Sequence, residues 1–438
     1  MARPIVAVVG RPNVGKSTLF NRLVGAQVAV VHDVPGTTRD RIYGIVEWGG
    51  REFTLVDTGG VGLDARTEIE RGVADQAEVA TRESDVIVFV ADVRVGPTGS
   101  DAEVGQRLRR TQKPLILVAN KGDSARDRVH AAELFELGLG EPIVISAHRG
   151  TGTGDLLDRI VELLPPGPEA ELDEDEPLSV AIVGRPNVGK SSLLNAIVGT
   201  PRSIVSEVPG TTRDTIDTDI EYADRAIRLI DTAGIRRRGH IERGVETYSV
   251  LRAFRAIDRA EIAVVLIDAE EGVAAQDAHV AGYVHESAKG CVIAVNKWDL
   301  VEPDPEAGGE YLAMVRKGLG FLDYAPVIFI SAKTGLHVNR ILDQVLNVTE
   351  QRDQRVSTGQ LNEFVQTVVA QHPLNRGGRA LKILYCTQAS VRPPTFVFFV
   401  NDVGLVHFAY QRYLENQLRQ RFGFDGTGIR LVFRRRGE

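Results

Sequence analysis

An eight-residue string, Gly10-Arg11-Pro12-Asn13-Val14-Gly15-Lys16-Ser17, returns letter for letter as Gly184-Arg185-Pro186-Asn187-Val188-Gly189-Lys190-Ser191. Each copy follows a short apolar run, Ile5 to Val9 or Val180 to Val183, and leads into residues at helical spacing: Leu19, Phe20 and Leu23, then Leu193, Leu194 and Ile197. The pattern predicts strand, glycine loop and helix, twice over. Glycines let such a loop wrap so that its backbone N–H groups, at the positive end of the helix, face phosphate oxygens. Lys16 and Lys190 then reach the β- and γ-phosphates. Ser17 and Ser191, followed by Thr18 and Ser192, stand where Mg²⁺ is held.

Other strings recur at nearly the same spacing. Pro35-Gly36-Thr37-Thr38-Arg39-Asp40 returns as Pro209 to Asp214, and Asp57-Thr58-Gly59-Gly60 as Asp231-Thr232-Ala233-Gly234, both 174 residues on, like the octet itself. Asn120-Lys121-Gly122-Asp123 returns as Asn296-Lys297-Trp298-Asp299, and Ser146-Ala147 as Ser331-Ala332, the last after nine extra residues in the stretch Glu302 to Tyr324. These are two whole domains of one kind. In both, polar residues follow the ends of apolar runs, which suits an α/β fold with mostly parallel sheets and ligands at the C-terminal strand edge.

Each string carries a chemistry. The carboxylate of Asp123 or Asp299 can accept two hydrogen bonds from guanine N1–H and N2–H₂, a pair that adenine does not offer, so GTP is selected over ATP. Asn120 and Asn296 reach the base or tie the motif to the phosphate loop, and the Ala147 and Ala332 N–H groups can donate to guanine O6. Asp57 and Asp231 hold a Mg²⁺-bound water, while Gly60 and Gly234 offer an N–H to the γ-phosphate. Thr38 and Thr212 are the candidates for the Mg²⁺-binding switch threonine, with Thr37 and Thr211 as the alternatives. Loops that grip the γ-phosphate and release after hydrolysis make each domain a two-state switch, turning GTP into GDP. The glutamine that orients water in Ras-like GTPases is replaced by Val61 and Ile235, so intrinsic turnover is expected to be slow.

Length and charge complete the outline. A chain of 438 residues exceeds one core and suggests about three domains. Expected boundaries are 1–165 and 178–350 for the two GTPase domains, 166–177 for an acidic linker and 351–438 for a small α+β domain. The linker carries six Asp or Glu between Glu169 and Glu176. From Gln351 onward 13 Lys or Arg face 6 Asp or Glu, although the whole chain has a net charge of −7, so the last domain calls for an anionic partner. Helical spacing at Leu361 to Val369, strands at Leu381–Cys386 and Phe396–Val400, a helix through Tyr413 to Leu418 and a strand at Ile429–Phe433 give it the order α-β-β-α-β. Two cysteines far apart, Cys291 and Cys386, indicate neither a disulfide framework nor a zinc site. No apolar run approaches membrane-spanning length, so a cytoplasmic protein without a membrane partner is expected.

Together these strings resemble the GTPases of the Era and MnmE kind. The tandem arrangement, with Pro393-Pro394-Thr395-Phe396-Val397 and Tyr413-Leu414-Glu415-Asn416-Gln417-Leu418 in the last domain, resembles the bacterial Der (EngA) family over essentially the full chain. The resemblance implies a KH-like last domain and GTP hydrolysis coupled to late assembly of the large ribosomal subunit. Precursor particles and rRNA are then the partners, and a monomer is expected. It also implies hydrolysis helped by K⁺ near Asn13 and Asn187. The only Gly-x-x-Gly of the last domain, Gly423-Phe424-Asp425-Gly426, follows a helix and carries an acidic residue, so it reads as a helix stop and turn rather than an RNA clamp. RNA contact would then rest on Arg376, Arg379, Lys382, Arg392, Arg419, Arg421 and Arg434 to Arg436 as phosphate contacts. Arg236-Arg237-Arg238, beside the second switch, would make that contact respond to nucleotide. The alternative is a nucleotide-gated binding module for another RNA or membrane process.

Overall fold

The computed structural model describes residues 3–25, 43–58, 82–124, 127, 130–165, 176–199, 204–205, 217–232, 245–302, 306–376 and 379–435. The predicted switch residues Thr37, Thr38, Thr211 and Thr212, the pairs Gly59-Gly60 and Ala233-Gly234, Arg236 to Arg238 and most of the linker lie outside them. Two compact units are formed, Met1–Glu174 with His240–Asp258, and Asp175–Gly239 with Arg259–Glu438.

In the first unit β1 (Ile5–Val9), β2 (Tyr43–Trp48), β3 (Arg51–Asp57), β4 (Val86–Asp92), β5 (Leu115–Asn120) and β6 (Ile143–Val144) form one sheet in the order β2-β3-β1-β4-β5-β6. All pairings are parallel except β2 with β3. The central strands are continuously apolar because both faces are covered. Val6 and Val8 of β1 join the core formed with the helices Lys16–Gly25 and Thr153–Leu163, whereas Ala7 and Val9 join that formed with Gly99–Leu108 and the 3₁₀ segment His130–Leu137. The edge strand β2 was not apparent in the sequence, since only one of its edges is paired and Glu47 and Trp48 reach toward solvent.

The second unit repeats the plan with β7 (Leu178–Val183), β8 (Ile204–Val205), β9 (Thr218–Tyr222), β10 (Arg225–Ile230), β11 (Ile262–Asp268), β12 (Gly290–Asn296) and β13 (Val327–Phe329), ordered β13-β12-β11-β7-β10-β9-β8. Its nine extra residues appear where the helix Ala307–Gly318 and a 3₁₀ turn at Gly320–Leu322 replace the single 3₁₀ segment of the first copy.

The helix Val338–Asp353 runs on into the last domain, whose helices Thr358–Gln371 and Phe408–Phe422 pack on one face of a sheet. After the two-residue ribbon β14 (Asn375–Arg376) and β15 (Arg379–Ala380), that sheet consists of β16 (Ile383–Val391), β17 (Pro394–Val400) and β18 (Arg430–Arg435). β17 is central, antiparallel to β16 and parallel to β18. The α-β-β-α-β order holds, but β16 runs five residues past Cys386, because Thr387 to Val391 continue to pair with β17.

Gly423 to Gly428 do more than end a helix. Cys291 N–H donates to Gly426 O at 2.6 Å, Gly426 N–H to Tyr324 O at 2.9 Å, and Gly428 N–H to Lys289 O at 3.3 Å. Arg419 closes the joint by lying over the Tyr324 ring, 3.8 Å from its centroid, while donating to the carbonyls of Phe424 and Thr427. The Gly-x-x-Gly loop is therefore pinned through Gly426 against the start of β12 and is not a free clamp for nucleic acid.

Candidate nucleotide sites

The two loops at the ends of β1 and β7 share their backbone conformation. Asn13 and Asn187 adopt φ of 66° and 63°, and Gly15 and Gly189 φ of 95° and 98°. The glycine is required twice over: a Cβ at Gly15 would stand 2.5 Å from Asn120 Nδ2, and one at Gly189 2.2 Å from Asn296 Nδ2. That close approach is structural. Asn120 Nδ2 donates to Val14 O at 2.8 Å while its Oδ1 accepts from Ala147 N–H at 3.0 Å, and Asn296 repeats both bonds with Val188 at 2.7 Å and Ala332 at 2.9 Å. The asparagine thus ties the phosphate loop to the Ser-Ala turn. The Ala147 and Ala332 amides, assigned to guanine O6 from the sequence, are here donated to the asparagines.

Lys16 opens the helix beneath the loop, buried, with Nζ donating to Gly10 O at 2.7 Å and Arg11 O at 3.0 Å. Lys190 donates to Gly184 O at 2.7 Å and also to Arg185 O. Burial pushes the Lys16 ammonium below its ordinary value, against the opposing charge of Asp57. Ser17 Oγ donates to Asp57 Oδ2 at 2.6 Å, which brings helix start and strand end together. In the second copy Asp231, at φ 60°, donates its backbone N–H to Asp217 Oδ1 at 2.8 Å. Thr58 Oγ1 donates to Val8 O at 2.7 Å, and the Thr232 and Thr218 hydroxyls meet at 2.8 Å. Pro12 and Thr18 are exposed in the first loop, as is Ser192 in the second, whereas Pro186 is half-buried.

At the Asn-Lys-x-Asp turns, Lys121 and Lys297 adopt φ of 69° and 65°, pairing with Asp92 at 2.7 Å and with Asp268. Gly122 N–H donates to Ile145 O at 2.9 Å and Trp298 N–H to Ile330 O at 3.0 Å, so both turns rest on the last strand. Asp123 accepts from Ser146 Oγ and from Arg94 Nη2 at 2.6 Å. Arg94 escaped sequence reasoning because nothing repeats it: Glu270 occupies the corresponding place two residues past Asp268, and Asp299 is exposed. Trp298 packs instead between Phe329 and Tyr311, with ring centroids at 4.3 and 5.0 Å.

Comparison with known proteins agrees with this geometry. A family described as 50S ribosome-binding GTPase matches residues 5–121 and 179–297. A second, the KH-domain-like C-terminal domain of EngA bacterial GTPase enzymes, matches residues 355–434. GTPase Der of Chloroflexus aggregans is 53% identical over 444 residues, spanning 100% of this chain and 99% of that protein. The chain belongs to the Der family of GTPases. GTPase Der of Moorella thermoacetica is 54% identical over 436 residues, 99% of each chain. As a Der-family member the protein is a GTPase with two tandem GTP-binding domains and a KH-like domain. Among the described residues, no helix is long and apolar enough to cross a membrane.

Of the basic residues expected to contact RNA, Arg436 lies outside the described residues, and among the described ones two are committed within the chain itself. Arg419 is held under the glycine loop, and Arg392 makes a two-pronged pair with Asp353. Arg379, Lys382, Arg421, Arg434 and Arg435 remain exposed.

Proposed function

We propose that the protein is a GTP-driven switch in late assembly of the large ribosomal subunit, working in the cytoplasm as a monomer, with its basic last domain against rRNA of the precursor particle. The observation that supports it is the paired Asn120 and Asn296 amides. In each domain one side chain ties the phosphate loop to the guanine-selecting turn, so base recognition and phosphate grip form one body. The domain limits that go with this reading are 1–165, 178–350 and 351–438, joined by the 166–177 linker.

In this mechanism Lys16 and Lys190 exchange carbonyl contacts for phosphate oxygens, and Asp123 and Asp299 hold the guanine. Ser17 and Asp57, 2.6 Å apart, are two hard oxygen donors at a helix start and fit Mg²⁺, which would neutralise charge on the phosphates. Ser191 and Asp231 are the corresponding pair, and Thr38 and Thr212 would complete each set. Gly60 and Gly234 would sense the γ-phosphate. Asn13 and Asn187, exposed at the loop crest, are offered to K⁺. With Val61 and Ile235 where a water-orienting glutamine would stand, intrinsic turnover is slow.

Sedimentation with large-subunit precursors tests the reading. A non-hydrolysable GTP analogue should carry the protein into the particle fraction and GDP should release it. Equal binding with both nucleotides, or none with either, would overturn it.

A further inference from the structure

The sheet of the last domain has one face covered by helices and one that is not. Cys386, Phe396, Phe398 and Val400 point into the helical core. By the two-residue alternation of strands the other face carries Tyr385, Thr387, Val397, Phe399, Val432 and the two arginines Arg430 and Arg434, of which Tyr385, Arg430 and Arg434 are exposed and Val397 is buried. On it Tyr385 and Phe399 sit directly opposite each other in register, their rings stacked with centroids 4.2 Å apart and planes 11° from parallel. Tyr385 is nevertheless 40% exposed, and Leu384 beside it 45%. Arg434 is the β18 partner of Phe399, and Arg430 that of Thr395. No acidic residue occurs anywhere in β16, β17 or β18.

We propose that this open face binds single-stranded RNA, with an unpaired base continuing the Tyr385–Phe399 stack and Arg434 and Arg430 holding the flanking phosphates. A flat aromatic ring left in water on a purely basic, acid-free sheet matches the needs of an unstacked base followed by a phosphate. A protein partner would be met by apolar anchors with a mixed-charge rim, and duplex RNA would offer no base face to the ring. The glycine loop is engaged at β12, whereas this face combines aromatic and cationic groups. The inference rests on the RNA-contacting reading above, which it narrows to one surface and one form of RNA.

The test uses the full-length chain and a fluorescein-labelled oligouridylate of about 12 nucleotides, within the span such surfaces cover, read by anisotropy over a salt series. Tyr385→Ala should weaken binding about fivefold or more while leaving the salt slope nearly unchanged, and Tyr385→Phe should restore it. Arg434→Gln should weaken binding and lower the slope by about 0.7, the value for one released counterion on a single strand. GTP hydrolysis by these variants should equal that of the parent, which shows that the fold is kept. Unchanged affinity in the Tyr385→Ala, Phe399→Ala double variant would overturn the proposal, as would preference for duplex RNA or crosslinking of this face to a ribosomal protein. If the parent protein still sediments with particles in those cases, only this surface assignment falls; if it never does, the broader reading falls separately.

Discussion

Arg11 Nε lies 3.3 Å from the buried Asp101 Oδ2, an ion pair joining the crest of the phosphate loop to the first turn of a helix ninety residues away. Arg185 and Asp277 repeat it at 3.1 Å. Each aspartate is also a helix cap: Asp101 Oδ2 accepts from the Thr98 N–H and hydroxyl, and Asp277 Oδ2 from the Ala274 N–H. The arginine of the octet therefore braces the loop from outside, a role different from that of the lysine beneath it.

The two pairs should respond differently to loss of charge. Arg11 has Asp101 as its counter-ion, with Nε and Nη2 buried and without a hydrogen-bond partner among the described residues. Asp101→Asn should then cost about 1–3 kcal/mol in the first domain. Arg185 keeps Glu271 and Gly272 O when Asp277 is neutralised. Burial raises the Asp277 carboxyl above its ordinary value, outweighing the Ala274 N–H and Arg185. A raised carboxyl binds protons more readily folded than unfolded, so its effect is a loss of stability as pH rises from 3.8 through the folded value. Asp277→Asn should remove that slope and be nearly neutral, whereas Asp277→Ala should lose about 1–3 kcal/mol by orphaning the Ala274 N–H. Thermal melts of the three variants between acid and neutral pH decide this.

Lys16 predicts a pH dependence of opposite origin. Its ammonium is lowered by burial, so the folded protein gives up this proton below 10.5, and stability rises with pH in that window. A phosphate beside Nζ stabilises the charged form. GTP affinity of the first site should therefore be full below the lowered value and decline as pH passes through it toward 10.5. Guanine itself titrates in this range, so the readout is the difference from Lys16→Arg, whose side chain stays charged. Parallel curves for the two proteins would refute the assignment.

The joint between the last domain and the second GTPase domain turns on Gly426. Its φ is 70°, and a Cβ there would lie 2.2 Å from Val348 Cγ2 and 3.3 Å from Cys291 O. Gly426→Ala should cost roughly 2 kcal/mol or more and loosen the loop from β12. Gly359→Ala, in a helix with open space around it, should be neutral or slightly stabilising. Limited proteolysis should release the last domain from the first variant alone.

What could be read in advance was what is local in the chain. A phosphate loop is a contiguous string between a strand and a helix, and its repetition gave the tandem architecture along with Lys16, Asp57, Asn120 and Asp123. Contacts that close over long distances leave no such string. Arg11 with Asp101, Gly426 with Cys291, and Tyr385 with Phe399 are brought together only by strand register and docking. Arg419 looked like a phosphate contact from its charge, but the Tyr324 ring and two carbonyls claim it. Net charge of a segment counts its arginines without telling which are spent inside.

Guanine selection is the sharpest test of the two sites because it can be scored by stoichiometry. Asp123 and Asp299 each end a turn anchored to the last strand through the N–H of the preceding residue. Exchange of either carboxylate for an amide replaces one of the two acceptors offered to the guanine N1–H and N2–H₂ by an NH₂ donor, so that donor faces donor. Asp123→Asn should weaken GTP at the first site by on the order of 10²-fold or more, leaving one equivalent in titration calorimetry, and Asp299→Asn should do the same at the second. Xanthosine triphosphate, with a carbonyl where guanine carries its amine, should refill the altered site and leave the other untouched. If both single variants still bind two equivalents of GTP, these aspartates do not choose the base.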